Sequence, residues 1–246
     1  MTATQKSDQH TVTDETNAHL DGSGAMFNRI ADRYDLLNRV LSLGLDRGWR
    51  RKLVAALTLE HCHRVLDLAT GTGDVALAIA RTRDHIQVVG IDPSARMLAV
   101  GQRKVAAAGF TARIQLVAGD AQQLALEDDS FDGCCMAFGI RNVKDRGAAL
   151  REMVRVTRSG GRVVILELCE PPAGPLGALA RLHVHHAVPR IGRWLTGDSA
   201  YAYLQQSMQA FPAPAVFREQ LTTAGLQVIQ LQRLGFGAAT LFVCEA

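Results

Sequence analysis

Residues 64–74, Arg-Val-Leu-Asp-Leu-Ala-Thr-Gly-Thr-Gly-Asp, restrict the fold of this chain more than any other stretch. Val65, Leu66 and Leu68 make a short apolar run of the kind that a parallel strand buries on both faces. Gly71, Thr72 and Gly73 follow, then an apolar-periodic helix from Val75 to Ala80. Strand, glycine turn and helix are the nucleotide-binding corner of a doubly wound sheet. Glycine lets the backbone turn tightly and lets a ligand lie against it without a Cβ in the way. The helix N-terminus offers free N–H groups and a positive dipole end to an anionic group. Two other readings stay open at this point. Gly71 to Ala76 also fits the dinucleotide pattern G-x-G-x-x-A, and a plain βα turn with no ligand has the same form.

The rest of the chain supplies context. Strands are expected at Arg64–Ala69, Gln87–Ile91, Ala112–Ala118, Phe131–Phe138 and Arg162–Leu168, alternating with helices. Ser94 and Asp145 are placed to cap two of those helices, and Ser159-Gly160-Gly161 reads as a turn. Gln227–Leu234 and Ala238–Cys244 are joined by a short glycine-bearing link, so they form a hairpin and the last strand runs antiparallel. The predicted fold is α/β: a doubly wound, mostly parallel seven-stranded sheet with a terminal antiparallel hairpin. Met26 to Leu57 is helical by pattern. Residues 1–24 are polar and aperiodic and predict a disordered tail, leaving 25–246 as a single domain with an insertion over 171–208.

A net charge of +3 permits attraction to an anionic membrane surface but is too small to argue for nucleic acid. Around Trp49, Arg47, Arg50, Arg51 and Lys52 form a basic face, ordinarily a solvated one, with substrate or membrane contact as its functional reading. The five cysteines form no C-x-x-C and read as buried free thiols of a reducing, cytoplasmic compartment. No signal-peptide pattern and no membrane-spanning run is present, so any membrane contact is peripheral, at the inner face. His183, His185 and His186 lack a supporting cysteine or carboxylate cluster, and no metal is expected.

An acidic residue sits at or near the end of each of the first three strands: Asp67, Asp92 and Asp120. In open α/β sheets ligands bind outside the carboxyl ends of the strands. A carboxylate at the tip of the second strand is placed for the two hydroxyls of a ribose; Asp120 and the Ala121 backbone are placed beside an adenine ring. Helix capping is the structural alternative for Asp92 and for Asp120.

Asp67-x-x-x-Gly71-x-Gly73, the five-strand run and the terminal hairpin resemble class I S-adenosylmethionine-dependent methyltransferases, which are Rossmann-like. Further motifs narrow the resemblance: Tyr34-Asp35-Leu36-Leu37-Asn38 running on to Asp46 and Trp49; Phe138-Gly139-Ile140-Arg141-Asn142; Arg155-Val156, Gly160-Gly161 and Glu167; and Tyr203-Leu204, Ser207, Phe211-Pro212. In order and spacing these are similar to the ubiquinone/menaquinone biosynthesis C-methyltransferase family. Ser159, where proline is usual, and Cys169, where serine is usual, depart from its pattern.

The resemblance implies transfer of the sulfonium methyl of S-adenosylmethionine to a ring carbon of a polyprenylated hydroquinone, on the menaquinone or the ubiquinone branch. It places Thr72, Asp92, Asp120 and Ala121 at the cofactor, and Asp67, Gly71 and Gly73 of the strand and glycine turn are expected to bind it with them. It assigns Arg141 and Asn142 to catalysis, with a salt bridge to Asp132 or Asp145 as the structural alternative for Arg141. The N-terminal helices, 25–60, would act as a lid, and the 171–208 insertion would hold the prenyl tail. Transient contact with a membrane surface and a homodimer accompany this reading. A methyltransferase for another phenol or sterol, and a non-catalytic cofactor-binding scaffold, are the alternatives.

Overall fold

The computed structural model describes residues 23–172, 174, 181 and 198–246. The expected tail, save its last two residues, lies outside the described residues, as do His183, His185, His186, Leu176, Leu179, Leu182, Val184 and Val188 of the insertion.

Three helices precede the sheet: α1 (Ser23–Ile30), α2 (Tyr34–Leu41) and α3 (Leu45–Ala56). The expected single helical stretch is thus broken twice. A 3₁₀ turn, Ala31–Arg33, separates α1 from α2, and the chain reverses at Leu43 and Gly44, both at positive φ. Alternation then follows as the pattern demands: β1 (Arg64–Leu68), α4 (Asp74–Ala80), β2 (Gln87–Asp92), α5 (Ala95–Ala107), β3 (Ile114–Ala118), β4 (Phe131–Ala137), α6 (Arg146–Val156) and β5 (Thr157–Leu168). Two helices, α7 (Asp198–Ala210) and α8 (Pro214–Thr223), lead to β6 (Gln227–Leu234) and β7 (Ala239–Glu245). Ser94 caps α5 and Asp145 caps α6, each hydroxyl or carboxylate accepting a first-turn N–H.

The seven strands lie in the order β3-β2-β1-β4-β5-β7-β6. β1 to β5 are mutually parallel, and β7 runs antiparallel between β5 and β6. Alternation along each strand sorts its side chains onto the two faces. Val65, Cys135, Val164 and Leu166 face Trp49, Leu53 and Leu57 of α3 and the apolar face of α4. Leu66, Cys134, Met136, Val163, Ile165 and Phe242 face Leu150 and Met153 of α6 and Phe217 and Leu221 of α8. All five cysteines are free and buried, and burial pushes each thiol's pKa up.

One turn sits elsewhere than expected. Ser159-Gly160-Gly161 falls inside β5, where pairing with β4 jumps from Phe131↔Thr157 to Gly133↔Arg162. The extra residues form a bulge, with Gly160 at φ 75° bonded through its N–H to the Ala246 carbonyl at 2.8 Å. A Cβ on Gly161 would meet the Asp132 carbonyl oxygen at 2.8 Å, so the bulge closes only around glycine.

Candidate active site

Strand order reverses between β1 and β4, and a cleft of about 430 Å³ opens there, at the carboxyl ends of the strands. Its floor comes from Ala69, Gly71, Ile91 and Asp92, one side from Gly119 to Gln122, and the other from Ala137 to Gly139 and Asn142 to Lys144. Phe27 of α1 and Tyr34 of α2 complete the wall.

The close approach of the β1 and β4 ends is written in small residues. A Cβ on Gly139 would stand 2.4 Å from the Ala69 Cβ and 3.1 Å from the Met136 Cγ. Ala69 and Phe138, which directly follow the two strands, both turn through positive φ.

Asp92 organises the floor. One carboxylate oxygen accepts the Gly71 N–H at 2.9 Å and the other accepts the Ser94 N–H at 2.8 Å. The carboxylate thus ties the glycine loop to the start of α5, while Ser94, and not Asp92, caps that helix. Burial raises the Asp92 pKa, and the two N–H groups counter that rise. Asp120 accepts the Gln122 backbone N–H at 2.9 Å and its side-chain amide at 2.9 Å, a closed turn on the cleft's edge beside Ala121. Asp92, Asp120, Ala121 and Gly71 therefore come together as the sequence predicts.

Three other expected residues stand back from the cleft. Asp67 lies beneath the loop, accepting the Thr70 hydroxyl at 2.6 Å and the Cys135 thiol at 3.6 Å. Gly73 starts α4 in the left-handed region. Thr72 turns its hydroxyl away, donating to Asp35 of α2 at 2.6 Å and accepting from Lys104 of α5 at 3.2 Å. Lys104 also binds Asp35 at 2.7 Å and pairs with Asp74. Asn28 and Asp32 make matching contacts, Asn28 with the Ser94 hydroxyl at 2.7 Å and Asp32 with Arg96 at 2.8 Å. The helices over the cleft are thereby latched to the glycine loop and to α5. Asp35 and Lys104 carry this latch, and only the Tyr34-Asp35 motif signalled it in the sequence.

Burial, against the bonds from Thr70 and Cys135, raises the Asp67 pKa to about 6. The fold therefore holds this proton more tightly than the unfolded chain does. Its stabilisation is complete below about pH 4 and is lost as pH rises through about 6, a change of up to about 3 kcal/mol. Denaturant unfolding of the wild type is expected to lose stability over that window, and Asp67→Asn to flatten the slope.

Arg141 follows β4 in a 3₁₀ turn and is buried. Its Nη1 donates to the Phe138 carbonyl at 2.6 Å and to Glu167 at 2.7 Å; its Nε donates to Ser207 at 3.3 Å. Among the described residues Nη2 has no hydrogen-bond partner. Burial works against the charge, but Glu167, Tyr34 and Tyr203 together raise the Arg141 pKa. The expected alternative partners are engaged elsewhere. Asp132, at the opposite end of β4, accepts the Arg64 N–H at 2.7 Å and pairs with Arg158, while Asp145 caps α6. Asn142 lines the cleft, its amide oxygen accepting the Tyr203 hydroxyl at 3.0 Å.

The donor set fits S-adenosylmethionine. The buried Asp92 carboxylate could accept from a ribose diol, Ile91, Met97 and Ala121 would give an adenine apolar neighbours, and Phe27 and Tyr34 are aromatic groups that would suit a sulfonium. Fold and site together define a class I S-adenosylmethionine-dependent methyltransferase. Residues 12–245 match the ubiE/COQ5 methyltransferase family, and the chain belongs to that family. It is 43% identical over 221 residues to a ubiquinone/menaquinone biosynthesis C-methyltransferase UbiE of Geotalea daltonii, covering 89% of this chain and 94% of that protein. It is 42% identical over 219 residues to a demethylmenaquinone methyltransferase of Thermus thermophilus, covering 89% and 98%. Among solved structures, an S-adenosylmethionine-dependent methyltransferase of Thermotoga maritima shares the fold, with a TM-score of 0.62 at 19% identity over 90% of this chain and 98% of that one.

Proposed function

We propose that this enzyme methylates a ring carbon of a polyprenylated hydroquinone in quinone biosynthesis. The observation that carries the reading is the buried Arg141–Glu167 pair, with no described hydrogen-bond partner on Arg141 Nη2, next in sequence to Asn142, which lines the cleft as Arg141 itself does not. When bound, S-adenosylmethionine supplies an electrophilic methyl. A hydroquinone carbon becomes nucleophilic when a ring hydroxyl loses its proton, so the protein's task is to hold the ring in line and stabilise phenolate charge.

Arg141 is the residue assigned to that charge in this reading. Glu167 and the Phe138 carbonyl fix the guanidinium plane, and Nη2 is the donor left for a phenolate oxygen. Asn142 and Tyr203 form a hydrogen-bonded pair suited to orienting the ring. Asp92, Asp120 and Ala121 hold the nucleoside; Asp67, Gly71, Gly73 and Thr72 support the loop. Helices α1 to α3 serve as a lid, and the 171–208 insertion is the site for the prenyl tail.

The test is single-turnover transfer of labelled methyl from S-adenosylmethionine in detergent, separately to a reduced demethylmenaquinone and to a reduced ubiquinone precursor. Label on a ring carbon of either is expected and names the branch. Intact cofactor binding with no transfer to either would overturn the quinol reading.

A further inference from the structure

Leu43, in the α2–α3 turn, and Phe236, in the β6–β7 turn, share two unfavourable features. Both hold left-handed backbone conformations, φ 53° and 57°, which bulky L-residues avoid. Both also expose most of their apolar side chains, 69% and 63%. Single exposed apolar residues are ordinary; two strained ones on turns attached to one helix are not. The β6–β7 turn meets α3 through Trp49, whose ring packs on Gly235 so closely that a Cβ there would stand 2.5 Å from it, and the α2–α3 turn leads into the same helix. Leu45, exposed by 49%, lies one helical turn before Trp49. The β6–β7 turn stands at the carboxyl edge of the parallel strands, because Ala239 pairs with Leu168 at the end of β5. Trp49 also packs behind the cleft wall, its ring 6.3 Å from that of Phe138, which lines the cleft.

The surroundings are cationic. Arg39, Arg47, Arg51 and Lys52 are exposed, and among the described residues none has an ion pair. Arg50, from the same run, is instead buried on Asp46 and does not belong to this face. Apolar tips with unpaired guanidinium groups on the two helices that flank the α2–α3 turn complement a surface that is apolar inside and anionic at its rim.

We propose that the α2–α3 and β6–β7 turns dock the enzyme on an anionic lipid bilayer. Leu43, Leu45 and Phe236 enter the headgroup boundary, and Arg39, Arg47 and Arg51 meet lipid phosphates. The substrate-side edge of the sheet then faces the membrane. The inference extends the reading of a polyprenyl substrate, yet lipid without any quinol tests it.

The experiment is co-sedimentation of the full chain with vesicles of phosphatidylcholine alone and of phosphatidylcholine mixed with phosphatidylglycerol. Binding to the mixed vesicles only is expected. Leu43→Gly with Phe236→Gly should cut that binding about tenfold or more, and Arg47→Gln about fivefold. Glycine suits left-handed positions, so the double variant should unfold no earlier than the wild type, which separates lost docking from lost folding. S-adenosylmethionine affinity measured without lipid should stay within about threefold, since neither side chain lines the cleft. Equal sedimentation of wild type and double variant, or no binding to the mixed vesicles, would overturn the proposal. So would a double variant that only converts a dimer to monomers, since a second copy would then cover this face. Failure of quinol methylation would leave the vesicle result standing, so the two readings fail separately.

Discussion

Asp92→Ala is expected to weaken S-adenosylmethionine binding about a hundredfold or more, read by titration calorimetry. The carboxylate does two things at once. It accepts the Gly71 and Ser94 N–H groups, which sets the distance between glycine loop and α5, and it presents its remaining lone pairs to the cleft. Removing it orphans two backbone donors and deletes the acceptor for a ribose diol. Charged hydrogen bonds contribute roughly 1.5–3 kcal/mol each, so loss of about two of them gives the stated factor. Asp92→Asn should also bind poorly, because an amide puts a donor where one of the two N–H groups already points. Affinity for either variant within about threefold of wild type would remove Asp92 from the cofactor site.

Arg141→Lys is expected to lower single-turnover methyl transfer by about a hundredfold or more while S-adenosylmethionine affinity stays within about threefold. Lysine keeps the charge but is a single point donor. It cannot hold Glu167, the Phe138 carbonyl and Ser207 together and still offer a nitrogen to the substrate. Arg141→Ala tests the other half of the argument. It leaves the fully buried Glu167 without its partner, at a cost of about 3–5 kcal/mol and a fall in Tm of about 10 °C or more. Wild-type transfer by Arg141→Lys would reduce Arg141 to a structural role.

Most of the fold was legible because period and punctuation agree. Apolar runs without alternation marked the strands buried on both faces, and the two capping residues were found at sight. The β5 bulge was not legible, because Gly160-Gly161 signals a turn equally well whether the strand starts after it or continues through it. The positions of Asp92, Asp120 and Ala121 around the cleft were legible, because they follow from places on strand tips. The site was less so where two remote segments meet. Glu167 was in view as a motif residue, yet its pairing with Arg141 joins the end of β5 to the turn after β4, and nothing local marks that. Thr72 sits in the glycine loop, but its hydroxyl is claimed by Asp35, from a helix more than thirty residues earlier. Such contacts depend on three-dimensional arrangement, and pattern reading reaches only along the chain.

The latch of Asp35 on Thr72 and Lys104 has a consequence of linkage. Cover and glycine loop share these bonds, so whatever steadies one steadies the other by the same free energy. A donor molecule that grips the loop also holds the cover down, and a bilayer that captures the α2–α3 turn holds the cover from outside. Under the proposed docking, occupancy of the donor site and residence at the lipid surface would be reciprocal, each lengthening the other, and a spent donor would leave most readily from an enzyme that has let go of the membrane.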